Sequence, residues 1–285
     1  MTKAIPPRPE DGHKVTFGTV GIIGGCTQGG VVMLGAPVLA ATAALRSGCG
    51  RVEIMSSESL LGHILSCCSS ATGRILPAEP SDVEEVMTEW VKQLQAFVIG
   101  PGLGRGPVVE ALVEWVLGKA HIPVVLDADA LHVMSAMGCP APTGQIVLTP
   151  HPGEFAVLAQ GCDHDLPTSD MDSRQTAAKA MAEHLSCVVV LKGHRTVVAG
   201  SDIWTSDQGG VELAVPGSGD VLAGILGGIL AQQAAAGILD AESAARTAVS
   251  VHAVAGSHLA QMRGIRGLMA SEIADAVPGA IDAVV

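Results

Sequence analysis

The chain has 285 residues, of which 48% are hydrophobic and 15% charged, and this apolar content supports a large folded core and excludes a disordered chain. Its net charge of −12 and its 2% aromatic residues argue against a nucleic-acid partner, because a phosphate backbone would be repelled and bases would find few stacking platforms. Seven cysteines without a CxxC pair, and a beginning without a signal-peptide pattern, predict a cytoplasmic protein.

The length fits one large α/β domain, and no polar linker divides the chain. We expect residues 1–14 to form a loosely held tail and residues 15–285 to form a single catalytic domain. The apolar run 221–239 is long enough to raise the question of a membrane span, but Gln232 and Gln233 interrupt it. We therefore predict a buried helix there and no membrane partner.

Short runs of Val, Ile and Leu recur along the chain and are apolar throughout, as in the strands of a parallel sheet that is covered on both faces. These predicted strands are 19–23, 51–55, 96–100, 123–127, 145–149 and 187–191. Predicted helices lie between and after them at 37–47, 82–95, 106–117, 173–184, 221–232 and 242–262. This alternation predicts a doubly wound, mostly parallel sheet with helices on both faces, whose ligands bind at the carboxyl ends of the strands.

Two common nucleotide motifs are missing from the loops at those ends. No GxxxxGK[ST] segment occurs, which excludes a P-loop as far as a motif can. Gly100, Gly102 and Gly104 have the spacing GxGxG and lack the last glycine of GxGxxG, so a Rossmann dinucleotide loop is disfavoured.

The strongest local signal is the segment Pro-Gly-Ser-Gly-Asp at 216–220, which leads directly into an apolar helix. Glycines before a helix let backbone amides converge on an anion, and the helix dipole adds positive potential, so Gly217, Ser218 and Gly219 predict an anion hole. Asp220 could accept the proton of a substrate hydroxyl that attacks a bound phosphoryl group. The alternative is that Ser218 or Asp220 only caps the helix.

A second candidate is the turn Lys192-Gly193-His194-Arg195-Thr196, which separates two β-type runs. Lys192 could bind a nucleotide phosphate as a point charge and Arg195 as a two-pronged donor. The alternative is a solvated hairpin tip.

Two further loops carry acidic residues or histidine. His151 and Glu154 follow the strand at 145–149 and could bind a polar ligand or metal-bound water, or Glu154 could be a helix-start acid. Asp127 and Asp129 could hold Mg²⁺ through water, bond a ribose, or cap the next turn. No metal ligand is assigned from these patterns.

Six segments together resemble one family: GGCTQGGVVMLGAPVLAATAALRSGCG, VIGPGLG, VLDADAL, LTPHPGEF, VLKGHRTVV and GSGDVLAGILGG. They occur in the order found in the ADP/ATP-dependent NAD(P)H-hydrate dehydratases, which are members of the ribokinase-like superfamily, and the resemblance covers roughly residues 13–260. It implies a ribokinase-like fold and repair of a hydrated nicotinamide cofactor.

The resemblance also implies roles for single positions. The nucleotide-binding positions are Lys192, Gly193, His194, Arg195, Thr196 and Gly219; the positions that hold the hydrate are Ala36, Gly104, His151 and Asp220. In the implied reaction the ring hydroxyl attacks the terminal phosphoryl group of ADP or ATP, with Mg²⁺ as cofactor, Asp220 takes the proton, and phosphate then leaves. A homo-oligomer, namely a tetramer, is implied as well.

The sequence departs from the family pattern in several places. Residues 13–18 lack the first glycine of an expected Lys-Gly-x-x-Gly, and residues 207–212 replace a stretch that resembles Asn-Pro-Gly. We expect these departures to fall mainly on the nicotinamide side of the site rather than on the phosphate side.

Two other functions are compatible with the same motifs. A small-molecule kinase of the superfamily, such as a vitamin or thiazole kinase, would need the same anion hole and aspartate. A nucleotide sensor without chemistry is the third hypothesis, and it is disfavoured because Asp220 is retained beside an intact Gly-Ser-Gly.

Overall fold

The computed structural model describes residues 4–285. Its strands are β1 (Thr19–Ile23), β2 (Cys26–Gln28), β3 (Val31–Met33), β4 (Arg51–Ser56), β5 (Thr72–Ile75), β6 (Ala96–Ile99), β7 (Val124–Leu126), β8 (Ile146–Leu148), β9 (Val188–Leu191), β10 (Val197–Ala199) and β11 (Ile203–Thr205). Its helices are α1 (Gly35–Arg46), α2 (Glu58–Cys67), α3 (Val83–Val91), α4 (Pro107–Lys119), α5 (Asp129–Ala136), α6 (Pro152–Gly161), α7 (Met171–Leu185), α8 (Ser218–Ala236), α9 (Ala241–Arg263) and α10 (Ala270–Val284).

Nine of the strands form one sheet in the order β11-β10-β9-β8-β7-β6-β1-β4-β5. All neighbouring strands from β9 to β5 are parallel, and β10 and β11 add an antiparallel edge. The chain runs outward from β1 to β5, returns to β6 beside β1, and then continues in the other direction. This reversal confirms the predicted doubly wound topology and leaves a crevice at the carboxyl ends of β1 and β6.

The six predicted strands are confirmed, with bounds that agree to within one residue. Strand β5 was not predicted because its sequence Thr-Gly-Arg-Ile is largely exposed at the sheet edge and has no apolar run. Helices α2, α5, α6 and α10 were also not predicted. Helices α5 and α6 are short and begin inside loops that the motif analysis treated as irregular.

The sheet separates two hydrophobic cores. On one face, side chains such as Ile22 and Val98 pack with α1, α8, α9 and α10. On the other face, side chains such as Ile23 and Phe97 pack with α3 to α7. Because successive strand residues point to opposite faces, apolar residues at every position supply both cores.

Close packing of α8 on α1 positions the start of α8 at the sheet edge. A Cβ atom on Gly224 would lie 2.1 Å from the carbonyl oxygen of Ala40, and one on Gly228 would lie 2.0 Å from Ser47 Oγ. Only glycine permits this approach. Within residues 4–285, no helix combines the length and hydropathy needed to cross a bilayer.

The described part of the segment 1–14 contacts the rest of the chain. Ile5 is buried in the core, and the Arg8 guanidinium lies 3.7 Å from the ring centroid of Phe17. Gln233 Nε2 donates to the carbonyl of Ala4 at 2.7 Å. Ala4, Ile5 and Arg8 therefore contact the rest of the chain. The loosely held tail at 1–14 stays a prediction, and residues 1–3 lie outside the described residues.

Candidate active site

A cavity of about 610 Å³ opens at the carboxyl edge of the sheet, beside the first turn of α8. It is lined by His151, by Ser218 and Gly219, and by Lys192, Gly193, His194 and Thr196. The structure thus brings together three segments that are more than 20 residues apart in sequence, and Ser218 and Gly219 face the cavity.

The start of α8 presents amides without partners. Gly217 has φ +85°, and a Cβ there would lie 2.4 Å from Leu39 Cδ1, so glycine suits this turn. The amide of Ser218 donates to the carbonyl of Val215 at 3.2 Å. Within the part of the chain that the structure describes, the amides of Gly217, Gly219 and Asp220 donate to no acceptor. The amide of Ser218 thus has a partner, whereas the amides of Gly217, Gly219 and Asp220 remain available to an anion. The anion hole at Gly217, Ser218 and Gly219 stays a prediction.

The Ser218 side chain is also engaged, and it points away from the amides. Its hydroxyl lies 2.9 Å from Nε2 of His252 in α9, and both residues are buried. Burial lowers the pKa of His252 to about 4, with a further lowering by Lys192 and an opposing contribution from Ser218. A neutral imidazole therefore holds the Ser218 hydroxyl near pH 7. Sequence reasoning missed His252, because no local motif marks it.

Lys192 follows β9 and lies among carboxylates from other strand ends. Its Nζ is 2.7 Å from Asp127 Oδ1 and 3.7 Å from Glu154 Oε2. Although burial lowers the pKa of this lysine, Asp127, Glu154 and Asp220 outweigh that effect and raise it above its ordinary value. Lys192 is therefore a fixed cation. It lies within 3.3 Å of the position that a Cβ on Gly219 would occupy.

Asp220 has the protonation behaviour of a general base. Burial and the neighbouring charge of Asp127 raise the pKa of its carboxyl to about 7, against the opposing effect of Lys192. A carboxyl with a pKa near neutrality accepts a proton more readily than an ordinary aspartate and is still substantially ionised at neutral pH.

Asp127 and Asp129 flank a strained residue. Ala128 has φ +48°, a conformation that a residue with a Cβ adopts at a cost of about 1–3 kcal/mol. This turn directs Asp127 towards Lys192 and Thr149, whose hydroxyl donates to it at 2.8 Å. Asp129 Oδ2 instead accepts from the amide of Gly104 at 2.8 Å. Asp127 and Asp129 therefore form hydrogen bonds with different loops.

His151 caps α6. Its Nδ1 accepts from the amides of Gly153 and Glu154 at 3.0 and 3.2 Å, which leaves Nε2 as the position for the proton. Glu154 completes the capping box by accepting from the His151 amide at 2.7 Å. Glu154 is thus a helix-start acid, one of the alternatives considered above, and it also contacts Lys192.

The other two predicted substrate positions, Ala36 and Gly104, lie on a different side of the site, beneath the β2–β3 hairpin. A Cβ on Gly102 would lie 3.2 Å from Ala36 Cβ, and one on Gly104 would lie 2.8 Å from Cys26 Sγ. Gln28 joins the hairpin to this loop, since its side chain donates to the carbonyl of Arg105 and accepts from its amide. Ala36 therefore lies beside Gly102, and Gly104 lies beside Cys26 and Gln28 of the hairpin.

Two neighbouring segments, residues 207–212 and Arg195, bear on the predicted site. Residues 208–210 line the same cavity as the Lys192–Thr196 turn and His151. The expectation that the departure at 207–212 falls on the nicotinamide side stays a prediction. Arg195 is exposed, has φ +55°, and is not among the residues that line the cavity. Its role as a phosphate ligand stays a prediction.

The fold is that of a ribokinase-like α/β protein, and its site combines a helix start that has unpaired amides with a neighbouring carboxylate. Residues 20–279 match the family model described as NAD(P)H-hydrate dehydratase, and the chain belongs to this family. Its resemblance to the family, inferred above from six segments, is confirmed.

Named relatives agree with this membership. The ADP-dependent (S)-NAD(P)H-hydrate dehydratase of Neisseria meningitidis is 36% identical over 284 residues, which cover 94% of this chain and 86% of the relative. The bifunctional NAD(P)H-hydrate repair enzyme of Moorella thermoacetica is 33% identical over 283 residues, which cover 96% of this chain and 51% of the relative. The chain thus spans about half the length of that bifunctional relative.

A solved structure supports the fold. The ADP/ATP-dependent NAD(P)H-hydrate dehydratase of Bacillus subtilis, co-crystallised with ATP and Mg²⁺, superimposes with a TM-score of 0.80 at 30% identity. The match covers 99% of this chain and 95% of the other.

Proposed function

We propose that the chain catalyses the nucleotide-dependent dehydration of the S-epimer of NAD(P)H hydrate, which returns it to NAD(P)H. One observation carries the proposal: a carboxyl with a pKa of about 7, Asp220, lies beside a fixed cation, Lys192, in a helix start where the amides of Gly217, Gly219 and Asp220 have no partner within residues 4–285. Family membership supplies the substrate, since the relatives are named for this reaction.

In the proposed reaction, the terminal phosphoryl group of ADP or ATP lies against the amides of Gly217, Gly219 and Asp220. The hydroxyl oxygen of the hydrated ring attacks phosphorus while its proton passes to the Asp220 carboxylate. The bond from phosphorus to the bridging oxygen of the nucleotide breaks, and AMP leaves from ADP, or ADP from ATP. The new phosphate ester then breaks at its carbon–oxygen bond, phosphate leaves, and loss of a ring proton restores the double bond. The substrate hydroxyl thus departs as phosphate, which is a better leaving group than hydroxide.

The electrostatics of the site fit a divalent cation that the nucleotide brings with it. Asp127, Glu154 and Asp220 all face one lysine, so the site has an excess of negative charge before a polyphosphate enters. Among residues 4–285, no three His, Cys, Asp or Glu side chains form a cluster that holds a metal alone. Mg²⁺ commonly binds through one or two carboxylates together with substrate phosphates. A divalent ion bound in this way would neutralise phosphate charge.

The remaining residues bind and orient. We propose that Lys192, Gly193, His194 and Thr196 contact the nucleotide, because they line the 610 Å³ cavity that opens beside Gly219. We propose that Ala36 and Gly104 hold the hydrate, together with His151, as the family resemblance implies.

The kinase alternative is weaker. Relatives at 32–36% identity over nearly the whole chain are named as dehydratases. The ribokinase structure that resembles this chain is 10% identical and shows the fold alone.

We propose further that the protein is a cytoplasmic homo-oligomer with one catalytic domain, a tetramer by resemblance.

The direct test is to incubate the purified chain with NAD(P)H hydrate and ADP or ATP, with and without Mg²⁺, and to follow the near-ultraviolet absorbance of the dihydronicotinamide ring. We expect recovery of that absorbance only with nucleotide and Mg²⁺, and its loss on substitution Asp220→Asn. A phosphorylated product that accumulates without recovery of absorbance would favour the kinase. A nucleotide that binds wild type and Asp220→Asn without turnover in either would favour the sensor.

A further inference from the structure

A buried arginine lies directly beneath the Lys192–Thr196 turn. Arg174 is in α7 and is 8% exposed. Its Nη1 donates to the carbonyl of His194 at 2.6 Å, and its Nη2 donates to the carbonyls of Leu191 and Lys192 at 3.2 and 3.3 Å. One guanidinium thus holds three carbonyls within four residues of chain.

The Lys192–Thr196 turn packs closely against this guanidinium. Gly193 has φ +143°, and a Cβ there would lie 3.0 Å from Arg174 Nη2. The residues on the other side of the same backbone, Lys192, Gly193, His194 and Thr196, line the cavity. Any movement of Arg174 would therefore be transmitted to the wall of the cavity through one layer of peptide groups.

The charge of Arg174 is not balanced by a partner. Within residues 4–285, no carboxylate lies within ion-pairing distance of it, and its buried Nε has no hydrogen-bond acceptor. A buried cation without a counter-ion destabilises the folded chain unless another interaction offsets the cost. Lys192, by contrast, is already paired with Asp127 and Glu154.

We propose that Arg174 is a positioning residue for the nucleotide: it shapes the Leu191–His194 backbone and places an uncompensated positive charge beneath the bound phosphates. Three carbonyls of this turn accept from the guanidinium, and Lys192, Gly193 and His194 also line the cavity. A polyphosphate in the cavity is attracted to the positive charge behind the turn. The inference rests on the proposed function only in taking the ligand to be an adenine nucleotide.

Helix α7 contains a matched control. Lys179 lies just over one turn after Arg174, and its Nζ donates to the carbonyls of Gly200 and Ser201 at 2.8 and 2.9 Å. These carbonyls belong to the β10–β11 turn, at the opposite edge of the sheet from the cavity. Lys179→Met therefore removes two cation–carbonyl contacts, and an ion pair with Glu183 at 3.2 Å, from the same helix without touching the site.

The experiment compares ADP binding by equilibrium dialysis with Mg²⁺ for wild type, Arg174→Met, Arg174→Lys and Lys179→Met, after thermal unfolding has established that each is folded. We expect Arg174→Met to weaken ADP binding at least roughly tenfold, because three contacts and a charge are lost. We expect a smaller loss for Arg174→Lys, which retains the charge, and a change within about twofold for Lys179→Met. In turnover, KM for the nucleotide should rise while KM for the hydrate is unchanged.

The inference is overturned if Arg174→Met binds ADP as tightly as wild type, or if Lys179→Met weakens binding equally. If Arg174→Met does not fold, Arg174→Lys decides alone, and unaltered ADP binding by it rejects the inference. Failure of the proposed function gives a different result, in which wild type binds ADP but does not convert the hydrate. The comparison of Kd values then still tests Arg174.

Discussion

Substitution Asp220→Asn should stabilise the ligand-free protein at alkaline pH while it abolishes turnover. Burial and the charge of Asp127 raise the pKa of Asp220 from 3.8 to about 7 in the folded state. The folded chain therefore binds this proton more tightly than the unfolded chain does. The stability that this contributes is fully present below the unfolded pKa and is lost as the pH rises through the folded pKa. Asparagine cannot ionise, so the Asp220→Asn variant does not lose this stability as the pH rises.

The size of this stability difference follows from the pH range between the unfolded and folded pKa values of Asp220. Each pH unit between the two pKa values changes the free energy of unfolding by about 1.4 kcal/mol, so two units between pH 5 and pH 7 correspond to about 2–3 kcal/mol. The difference between variant and wild type should thus grow by about 2–3 kcal/mol from pH 5 to pH 8, with little further growth above pH 8.

Urea unfolding at pH 5 and pH 8, followed by circular dichroism, measures this difference. Asp282→Asn, at an exposed position near the end of α10, is the matched control and should show no growth with pH. The reasoning is refuted if the gap between Asp220→Asn and wild type stays constant or shrinks as the pH rises. That outcome would mean that Asp220 ionises in the folded chain as easily as in water.

Three further predictions concern the same site. The pH profile of kcat/KM for the hydrate should have an acid limb near pH 7, with an approximately tenfold fall per unit below it, since the Asp220 base must be ionised; a profile that stays flat down to pH 5 contradicts this. Gly104→Ala should raise KM for the hydrate by roughly tenfold or more without changing KM for ADP, because its Cβ would lie 2.8 Å from Cys26 Sγ at φ +73°, whereas Gly62→Ala, with open space around it, should leave both KM values unchanged. Ser218→Ala should reduce the free energy of unfolding by about 1–3 kcal/mol, because it leaves the buried imidazole of His252 without its partner; an unaltered urea midpoint would show that the 2.9 Å contact does not stabilise the fold.

Much of the fold could be predicted from the sequence because its signals are local. The six apolar runs predicted six strands, and the structure confirms all of them. A strand that is buried on both faces needs apolar residues at every position, so its signal is local. Strand β5 could not be predicted in this way, because its polar sequence becomes a strand only through pairing with β4. The Gly-Ser-Gly-Asp segment was predicted as a helix start for a similar local reason, and the structure places α8 directly after Gly217.

The sequence could not predict which groups each side chain contacts. Arg174 illustrates the difference: it lies on the same buried face of α7 as Ala177, Ala178 and Met181, a position where an arginine is unusual. That pattern could have marked it as a residue with a special partner. Only the folded chain shows that the partners are the carbonyls of the Lys192–Thr196 turn.

The sequence by itself determined the class of sheet, the positions of six of its strands, the loops that carry chemistry and the family to which the chain belongs, because each of these depends on residues that are close in sequence. The tertiary structure decided how these loops act on one another. Lys192 meets Asp127 across 65 positions, and Ser218 meets His252 across 34. The pKa of Asp220 depends on burial and on charges from three other loops, which are set by distances through space and not by spacing along the chain.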